Sequence, residues 1–409
     1  MGERLDLLDP DLFVQGVPYD YFARLRAEEP IAWHEERGGP GYWLVTRYDD
    51  VVTVNKDWRR YSNEVRGSAL EDPASEEELR ARQQIFVNQD PVRHNRTRKL
   101  VSGAFTPRQI QLLTPQIRTI CTELVDEMLE RGTVDFVQEI STMLAFRMVA
   151  SMFGVPKYDW PMILQWTKQI TNFQEPEYNP TLASRFEVQQ KAIAYGKELV
   201  AEVRRNPAGH TGLITEIVDA QIVGDNGQLD RLSDDEIATF ILVVVIGGVD
   251  TTSHSLAEAV AVWADDQAPF DKLAAAGDCP ATLIEEVIRW ASPAMNFRRT
   301  STEDHDLAGV RIAAGDKVVM SFTSANRDER QFTDPDVFDP WRNPNEHVGF
   351  GGGGPHFCIG AHLARLNIHL LLAEMLQRVQ GFELVGPTKR LRSNAFAGWL
   401  HYPVAVTAR

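Results

Sequence analysis

One cysteine carries the clearest chemistry in the sequence. Cys358 lies in the stretch FGGGGPHFCIG, directly before a long amphipathic pattern. Four successive glycines permit φ > 0 and close backbone approach, so the loop can wrap tightly against something flat. At the start of a helix, free amide N–H groups and the helix dipole favour a thiolate over a thiol. Because thiolates bind metal ions, Cys358 is a candidate metal ligand, and a buried structural cysteine is the alternative.

A basic segment that follows Asp90-Pro91 is a second candidate. His94 and Arg98 are four residues apart, which places both on one helical face where they could donate to a carboxylate. A run of charges is more often a solvated helix face. Without the cysteine loop, that simpler interpretation would be favoured.

The longest predicted helix has polar residues at its middle. A capping box of Ser233 and Glu236 begins it, and apolar periodicity then continues to about residue 264. Its centre reads GGVDTT, and two glycines inside a helix cost about 1 kcal/mol each against alanine. They therefore need a reason, such as the close approach of another group, and Asp250 and Thr251 follow them directly. The alternative is a polar kink in which Thr251 bonds back to the preceding turn.

A third pair lies on the helix that Pro280 opens. Glu286 and Arg289 are three residues apart on one face. A pair of this kind is normally a surface salt bridge of little energetic value.

Together with the extended segment that contains Arg299, these four segments resemble five motifs of the cytochrome P-450 superfamily, in the right order and over essentially the whole chain. The resemblance implies that Cys358 binds haem iron, that Asp250 and Thr251 are the acid and alcohol of the oxygen-binding helix, and that Glu286 and Arg289 are buried. One departure is that Phe350 stands eight residues before the cysteine, where seven is usual. The resemblance assigns cofactor binding to His94, Arg98, Gly247, Gly248, Arg299, Phe350, His356, Cys358 and Gly360, with Arg298 as the register alternative to Arg299.

The same resemblance implies a mainly α fold with small β-sheets. It is the triangular-prism P-450 fold, with the haem between the long helix and the cysteine loop. We expect a single domain over residues 1–409, with an N-terminal β-rich part and a larger α-rich part. A second arginine, Arg342, is expected to join Glu286 and Arg289 in a buried structural network beneath the haem.

The implied activity is that of a haem-thiolate monooxygenase. It would hold haem b, use O₂ as co-substrate and receive electrons from NAD(P)H through a separate ferredoxin and ferredoxin reductase. A peroxygenase that uses H₂O₂ directly is one rival, but the presence of both Asp250 and Thr251 argues against it. A haem-binding or gas-sensing protein is the rival that is not an enzyme.

Composition excludes several other classes. Lys and Arg number 42 against 58 Asp and Glu, a net charge of −16, which opposes general affinity for nucleic acid or anionic membranes. Three cysteines without CxxC spacing support neither a disulfide framework nor a zinc ribbon. The N-terminus, MGERLDLLDPDLF, has no apolar stretch of signal-peptide or anchor length, and the run from residue 240 to 246 is too short to span a bilayer. We expect a cytoplasmic, monomeric protein without an anchor.

The predicted substrate pocket is apolar. Helical spacing puts one face of the long helix towards the haem, and the extended segments after Ser292 and near the C-terminus would add further walls. Similarity of the loop and of the opening DPDLFVQGVPYDYFARLR to bacterial members that hydroxylate sterols, branched lipids and terpenoids suggests such a substrate; a small aromatic or natural-product molecule is the alternative. The expected lining residues are Phe240, Val243, Val244, Met295, Asn296, Phe297, Phe396 and Ala397.

Local patterns predict the elements around these residues. We expect a helix from Tyr19 to Glu29, strands over residues 31–34 and 42–46, and a mobile loop with a short helix between residues 66 and 82. The last long helix should run from residue 361 to 380 and end at Gly381. The face behind Cys358 is expected to meet an acidic ferredoxin through Arg96, Lys99 and Arg365.

Overall fold

The structure is a computed structural model that describes residues 4–179, 183–210, 212–223 and 228–409. It is mainly helical, as the sequence predicts. A π-helix over Phe136–Ser141 leads into the seventh α-helix. The α-helices are α1 (Tyr19–Glu28), α2 (Tyr48–Lys56), α3 (Glu76–Gln84), α4 (Pro91–Ser102), α5 (Pro107–Leu112), α6 (Thr114–Arg131), α7 (Thr142–Met152), α8 (Trp160–Thr171), α9 (Ala183–Arg205), α10 (Leu213–Asp219), α11 (Asp234–Asp265), α12 (Ala268–Ala276), α13 (Ala281–Ala291), α14 (Phe322–Ala325) and α15 (Ala361–Arg378).

Small sheets complete the fold. The strands are β1 (Ile31–His34), β2 (Tyr42–Val45), β3 (Tyr61–Ser62), β4 (Thr133–Asp135), β5 (Ile222–Val223), β6 (Leu229–Asp230), β7 (Asn296–Ser301), β8 (His305–Leu307), β9 (Val310–Ile312), β10 (Lys317–Ser321), β11 (Val379–Leu384), β12 (Lys389–Arg390), β13 (Trp399–His401) and β14 (Pro403–Ala408).

The largest sheet joins both halves of the chain. Its strand order is β1-β2-β10-β7-β3, so the N-terminal strands pair with two strands from residues 296–321. In register, Val318 lies opposite Trp43 and Arg299. The sequence analysis expected a β-rich part at the N-terminus, but this sheet also contains strands from residues 296–321. Because of this pairing, Arg299 on β7 comes close to α2, which follows β2.

Helix α11 crosses the main core and packs against α7, α9, α13 and α15. The predicted capping box is present: Glu236 N–H donates to Ser233 Oγ at 3.2 Å, and Ser233 N–H donates to Glu236 Oε2 at 2.8 Å. Among the described residues this is the one helix long and apolar enough to cross a bilayer. However, 61% of its most apolar window is buried inside the protein, as in a core helix.

The end of α15 differs from the prediction. The helix stops at Arg378, and the strand β11 begins at Val379 and includes Gly381. The prediction that Gly381 caps the helix is therefore wrong. Pairing of β11 with β14, through Val379 opposite Ala408 and Gly381 opposite Thr407, outweighs the local preference of glycine for the left-handed cap.

Candidate functional site

The cysteine loop is shaped by its glycines and by α2. Each residue of the run from Gly351 to Gly354 has a positive φ, between 63° and 104°. A Cβ on Gly354 would lie 2.7 Å from the backbone oxygen of Asn55, and one on Gly353 would lie 2.9 Å from Lys56 Cε. The close approach that the glycines permit is therefore made to the end of α2, a contact that the sequence analysis missed.

Cys358 itself stands just before α15. Its N–H donates to Phe350 O at 3.1 Å, and the Gly360 N–H donates to the thiol. The side chain is exposed although dense protein surrounds it, so it lines an internal surface. Burial raises the pKa of the Cys358 thiol, while the Gly360 amide, Arg98 and Arg365 act to lower it. The helix N-terminus alone thus does not make the thiolate, which a bound cation would stabilise.

The ring of Phe350 is held beneath the loop by a charged cluster. It packs against Phe357 with centroids 6.2 Å apart, and the Arg365 guanidinium lies 4.5 Å from its centroid. Arg365 donates to both oxygens of Glu285, at 2.6 and 2.7 Å, and His347 Nε2 lies 3.1 Å from that carboxylate. Burial acts to raise the pKa of Glu285, but the hydrogen bonds from Arg365 and His347 outweigh it and hold the pKa at about 2.

Four basic side chains converge on the same region. The rings of His94 and His356 lie 4.3 Å apart. Arg98 donates to Pro355 O at 3.2 Å and to Phe357 O at 2.8 Å. Buried Arg299 donates to Arg298 O at 2.9 Å and to Asn55 Oδ1 at 2.6 Å.

These basic side chains have few carboxylate partners among the described residues. Within the described ranges, neither Arg98 nor Arg299 forms a salt bridge, whereas Arg298 pairs with Asp72 at 2.7 Å. Burial lowers the pKa of His94 to about 4, of His356 to about 2 and of Arg299 to about 9. His356 Nε2 is also buried without a hydrogen-bond partner. A buried cluster of donors without a carboxylate fits an anionic ligand such as the propionates of haem.

The metal chemistry of the site depends on Cys358. No group of three or more His, Cys, Asp or Glu side chains in the described part of the chain is placed to hold a metal ion. Cys121 and Cys279 are buried, and burial raises the pKa of each to about 12, which disfavours the thiolate. The donor set therefore fits an iron that is held by a macrocycle and one protein sulfur better than an all-protein metal site.

The polar residues of α11 lie where the sequence places them. Asp250 is buried and accepts from Asn172 Nδ2 at 3.1 Å. Thr251 Oγ1 donates to Gly247 O at 2.6 Å, the back-bond that the sequence analysis gave as its alternative. A Cβ on Gly247 would meet no protein atom within 4 Å, and one on Gly248 would lie 3.4 Å from Val149 Cγ2. Gly247 is exposed, and the side of its Cα where a side chain would stand is open.

Glu286 lies in a buried network with Arg289 and Arg342. Arg289 donates to both Glu286 oxygens at 2.8 Å, and Arg342 Nε donates to Oε2 at 3.1 Å. The Asn345 amide and the Asp339 N–H add donors at 3.0 and 2.8 Å. Glu286 and Arg289 are fully buried, so this is not a surface salt bridge.

Two predicted pocket residues belong to the core instead. Phe240 is buried against Phe86 and Phe105, with centroids 5.8 and 6.0 Å away. Met295 is buried in the N-terminal cluster with Phe13 and Tyr42. Apolar spacing could not separate a core-facing turn of the helix from a pocket-facing one, so these two predictions are wrong.

The other predicted pocket residues are more open. Val243 and Val244 are half-buried on α11, one turn before Gly247. Phe297 is exposed and packs edge-on against Phe322 at 5.9 Å. The Asn296 amide donates to Asn394 O at 2.8 Å, which leaves it less available for a substrate. Phe396 and Ala397 are half-buried on the C-terminal segment, which returns to this region through a bridge between Ala294 and Phe396.

The basic face expected to meet a ferredoxin is partly neutralised. Arg96 forms salt bridges with Asp230 at 2.6 Å and with Glu236 at 2.7 Å. Arg365 is bound to Glu285. Of the three predicted residues, Lys99 alone is without a salt bridge among the described residues, and it is exposed.

Three polar residues that sequence reasoning missed lie next to the site. Asn55 bridges the glycine run and Arg299, Asn172 contacts Asp250, and His254 lies one turn beyond Asp250 with both ring nitrogens buried and without a hydrogen-bond partner. Asn55 and Asn172 come from segments without any motif, so no local signal identified them. The position of His254, four residues after Asp250, was a signal that was available.

Comparison with known proteins identifies the family. The family model described as Cytochrome P450 matches residues 14–275 and 281–395. A steroid C26-monooxygenase of Mycolicibacterium smegmatis is 33% identical over 413 residues, covering 98% of this chain and 93% of that protein. A methyl-branched lipid omega-hydroxylase of Mycobacterium tuberculosis is 34% identical over 403 residues, covering 94% and 90%.

A solved structure agrees in fold. The cytochrome P450 CYP268A2 of Mycobacterium marinum, in complex with pseudoionone, superposes with a TM-score of 0.86 at 34% identity, covering 95% of this chain and 94% of that one. The family match, the relatives and the fold lead to one conclusion: the chain belongs to the cytochrome P450 family and is a haem-dependent monooxygenase.

Proposed function

We propose that this enzyme hydroxylates an unactivated C–H bond in a largely hydrocarbon molecule: a steroid, a terpenoid or a branched lipid. The observation that carries the proposal is the half-buried apolar face of α11 at Val243 and Val244, which ends at the open backbone of Gly247. Exposed Phe297 and half-buried Phe396, on segments joined by the bridge between Ala294 and Phe396, would add further apolar surface. Such a surface binds hydrocarbon by burial and offers little to a polar ligand.

The relatives support the same substrate class. Proteins described as a steroid C26-monooxygenase and a methyl-branched lipid omega-hydroxylase match this chain over nearly its whole length, and the aligned M. marinum structure contains pseudoionone. Bulky hydrocarbon ligands recur among them. The proposal extends that chemistry to this chain at the level of substrate class.

In the proposed mechanism, Cys358 provides the sulfur ligand of the haem iron. His94, Arg98, Arg299 and His356 would bind the propionates, because these side chains are buried or half-buried and lack carboxylate partners among the described residues. When bound, the haem supplies the activation of O₂ that inserts one oxygen atom into the substrate. The apolar walls position the C–H bond and exclude water.

Proton transfer falls to Asp250 and Thr251. Thr251 donates its hydroxyl hydrogen to Gly247 O. The lone pairs of Oγ1 therefore remain available to accept a hydrogen bond from a protonated group bound beside α11. Asp250 is buried and held by Asn172, and its carboxyl can pass a proton towards that position. This division assigns positioning to the alcohol and proton supply to the acid.

We also propose that the chain is a single domain and that the protein is monomeric and cytoplasmic. It would receive electrons from NAD(P)H through a separate ferredoxin and ferredoxin reductase. Because Arg96 and Arg365 are paired with acidic side chains, exposed Lys99 is the leading contact for an acidic partner on the face behind Cys358. Turnover with NAD(P)H and a surrogate ferredoxin, compared with turnover on peroxide alone, tests this electron route.

A spectral titration tests the substrate class. Sterols, branched fatty acids and acyclic terpenoids should each shift the Soret band from its low-spin to its high-spin position. Compact phenols of similar solubility are the control and should produce no shift. Tight shifts with the phenols and none with the hydrocarbon ligands would contradict the proposal.

A further inference from the structure

Asn55 links the cysteine loop to Arg299. It lies in the last turn of α2 and is 3% exposed. Its Nδ2 donates to Gly351 O and, at 2.8 Å, to Gly353 O, while its Oδ1 accepts from Arg299 Nη2 at 2.6 Å. One short side chain therefore uses both of its donors and its acceptor on two separate parts of the site.

The chemistry of the neighbours fixes the orientation of this amide. Carbonyl oxygens only accept hydrogen bonds, and a guanidinium only donates them, so Nδ2 must face the glycines and Oδ1 must face Arg299. An aspartate of the same shape would place a negative oxygen against the two carbonyls. It would also neutralise Arg299.

The loop that Asn55 binds is the longer one noted in the sequence. The eight-residue spacing from Phe350 to Cys358 leaves an extra residue, and the glycine run takes up this length by resting on α2. Asn55 supplies donors to two loop carbonyls at that contact. The amide and the longer loop are thus matched in geometry.

Arg299 needs orientation without neutralisation. Its two protein acceptors, Asn55 Oδ1 and Arg298 O, are both uncharged, and burial lowers its pKa to about 9. A neutral amide fixes the plane of the guanidinium but leaves its charge for an anion. A carboxylate partner at this position would compete with that anion.

We propose that Asn55 is a positioning residue that holds the Cys358 loop and Arg299 in one fixed relation, so that the sulfur ligand and a propionate contact are set together. The inference rests on the proposed haem-binding roles of Cys358 and Arg299. Asn55 acts through these two partners and needs no contact with the cofactor.

The test compares three variants of the haem-bound protein. Asn55→Ala removes the link, and Asn55→Asp keeps the shape but puts a negative oxygen in place of the two N–H donors. Thr53→Ala is the control, since Thr53 is exposed on the same helix and its hydroxyl donates within that helix to Asp49 O. Haem transfer to excess apomyoglobin and the absorption of the reduced carbon monoxide complex are measured for each. We expect transfer about tenfold faster or more for both Asn55 variants, more for Asn55→Asp, and less than twofold change for Thr53→Ala.

A second measurement separates positioning from general damage. Amide hydrogen exchange of the haem-bound Asn55→Ala protein should rise in residues 348–358 and remain unchanged in α1 and β1. A double-mutant cycle with deletion of Gly352 should be non-additive, because the shortened loop can no longer reach the amide.

Three results would overturn the proposal: haem transfer within twofold of wild type in both Asn55 variants, exchange that rises across the whole N-terminal sheet, or strict additivity with the loop deletion. These outcomes are distinct from failure of the haem-binding role proposed for Cys358. If that role were wrong, the wild-type protein itself would lack a thiolate-type carbon monoxide spectrum.

Discussion

Thr251 and Asp250 are adjacent in sequence but contact different parts of the molecule. Thr251 bonds to its own helix at Gly247 O, whereas Asp250 bonds across to Asn172 after α8. The alcohol is therefore fixed by α11 alone, and the acid depends on a neighbouring segment. The two side chains should fail in different ways when they are changed.

Thr251→Ala should uncouple the reaction. Substrate binding and NAD(P)H consumption should persist, but the product formed per NAD(P)H should fall about tenfold or more, with peroxide released instead, because the acceptor oxygen is lost. Peroxide and product are measured in the same assay. Thr251→Ser is the control that keeps the hydroxyl, and wild-type coupling in Thr251→Ala would remove this residue from the mechanism.

Asp250→Asn should slow turnover without unfolding the site. The amide keeps the contact with Asn172 but cannot supply a proton, so kcat should fall by roughly a hundredfold while the substrate-induced Soret shift is retained. The solvent deuterium isotope effect on kcat should increase. An unchanged kcat and isotope effect would show that the proton arrives by another route.

At the scale of elements, buried ion networks fasten α13 to the segment that precedes the cysteine loop. Glu286 receives hydrogen bonds from Arg289 on its own helix and from Arg342, Asn345 and the Asp339 N–H beyond β10. Burial acts to raise the pKa of Glu286, yet Arg289 and the other donors lower it overall. The positive charges of Arg289 and Arg342 are both balanced by this one carboxylate.

Glu286→Gln should destabilise the haem-bound protein by about 3–5 kcal/mol, because it leaves two buried guanidinium groups without a counter-charge. Urea unfolding measures the free energy. The control Glu303→Gln removes a carboxylate from an exposed pair with Arg60 and should cost about 1 kcal/mol or less. Equal effects of the two substitutions would contradict the structural role of Glu286.

His34 makes the junction of α1 and β1 sensitive to acid. Its Nε2 accepts from Tyr21 OH at 2.7 Å, its Nδ1–H donates to Ala32 O at 3.1 Å, and burial lowers its pKa to about 4. The unfolded chain, with a pKa near 6.5, then binds more protons at lower pH. The contribution of neutral His34 to the free energy of unfolding is complete above about pH 6.5. It decreases by roughly 3 kcal/mol as the pH falls from about 6.5 to about 4.

His34→Gln tests this dependence. Glutamine keeps hydrogen-bonding groups but does not titrate, so the difference in unfolding free energy between wild type and variant should change with pH between about 4 and 6.5 and be constant above that range. Other buried histidines contribute equally to both proteins. A difference that does not vary with pH would show that the pKa of His34 is the same in the folded and the unfolded chain, so that burial does not lower it.

At the scale of the whole molecule, a chain of net charge −16 must still accept an electron donor. The sequence suggested a basic face of Arg96, Lys99 and Arg365, but two of these are bound to acids in the structure. Electrostatic attraction to an acidic ferredoxin is therefore expected to be weaker than the residue types alone indicate, and to depend on Lys99.

Reduction by a ferredoxin should slow as ionic strength rises, because steering between opposite charges is screened. Lys99→Glu should lower the second-order rate constant several-fold at low salt. Lys191→Glu, an exposed change on α9, is the control and should have little effect. Rates that are independent of both salt and Lys99 would place the donor elsewhere.

The sequence predicted those parts of the site in which one motif defines one local structure. Cys358, the Asp250 and Thr251 pair, and the Glu286 network were found because their spacing sets their geometry along a helix or loop. Contacts between distant segments were missed, as Asn55 shows, because α2 and the glycine run are far apart in sequence. Phe240 was placed wrongly because an apolar residue on a helix faces core and pocket with the same pattern.

The most direct test of the central claim is the absorption spectrum of the reduced carbon monoxide complex. The claim is that Cys358 is the thiolate ligand of haem iron. The wild-type protein should show the long-wavelength Soret band that gives the family its name, and Cys358→His should abolish it while haem can still bind. If the band survived in Cys358→His, Cys358 would not be the ligand, and Cys121 or Cys279 would have to be considered.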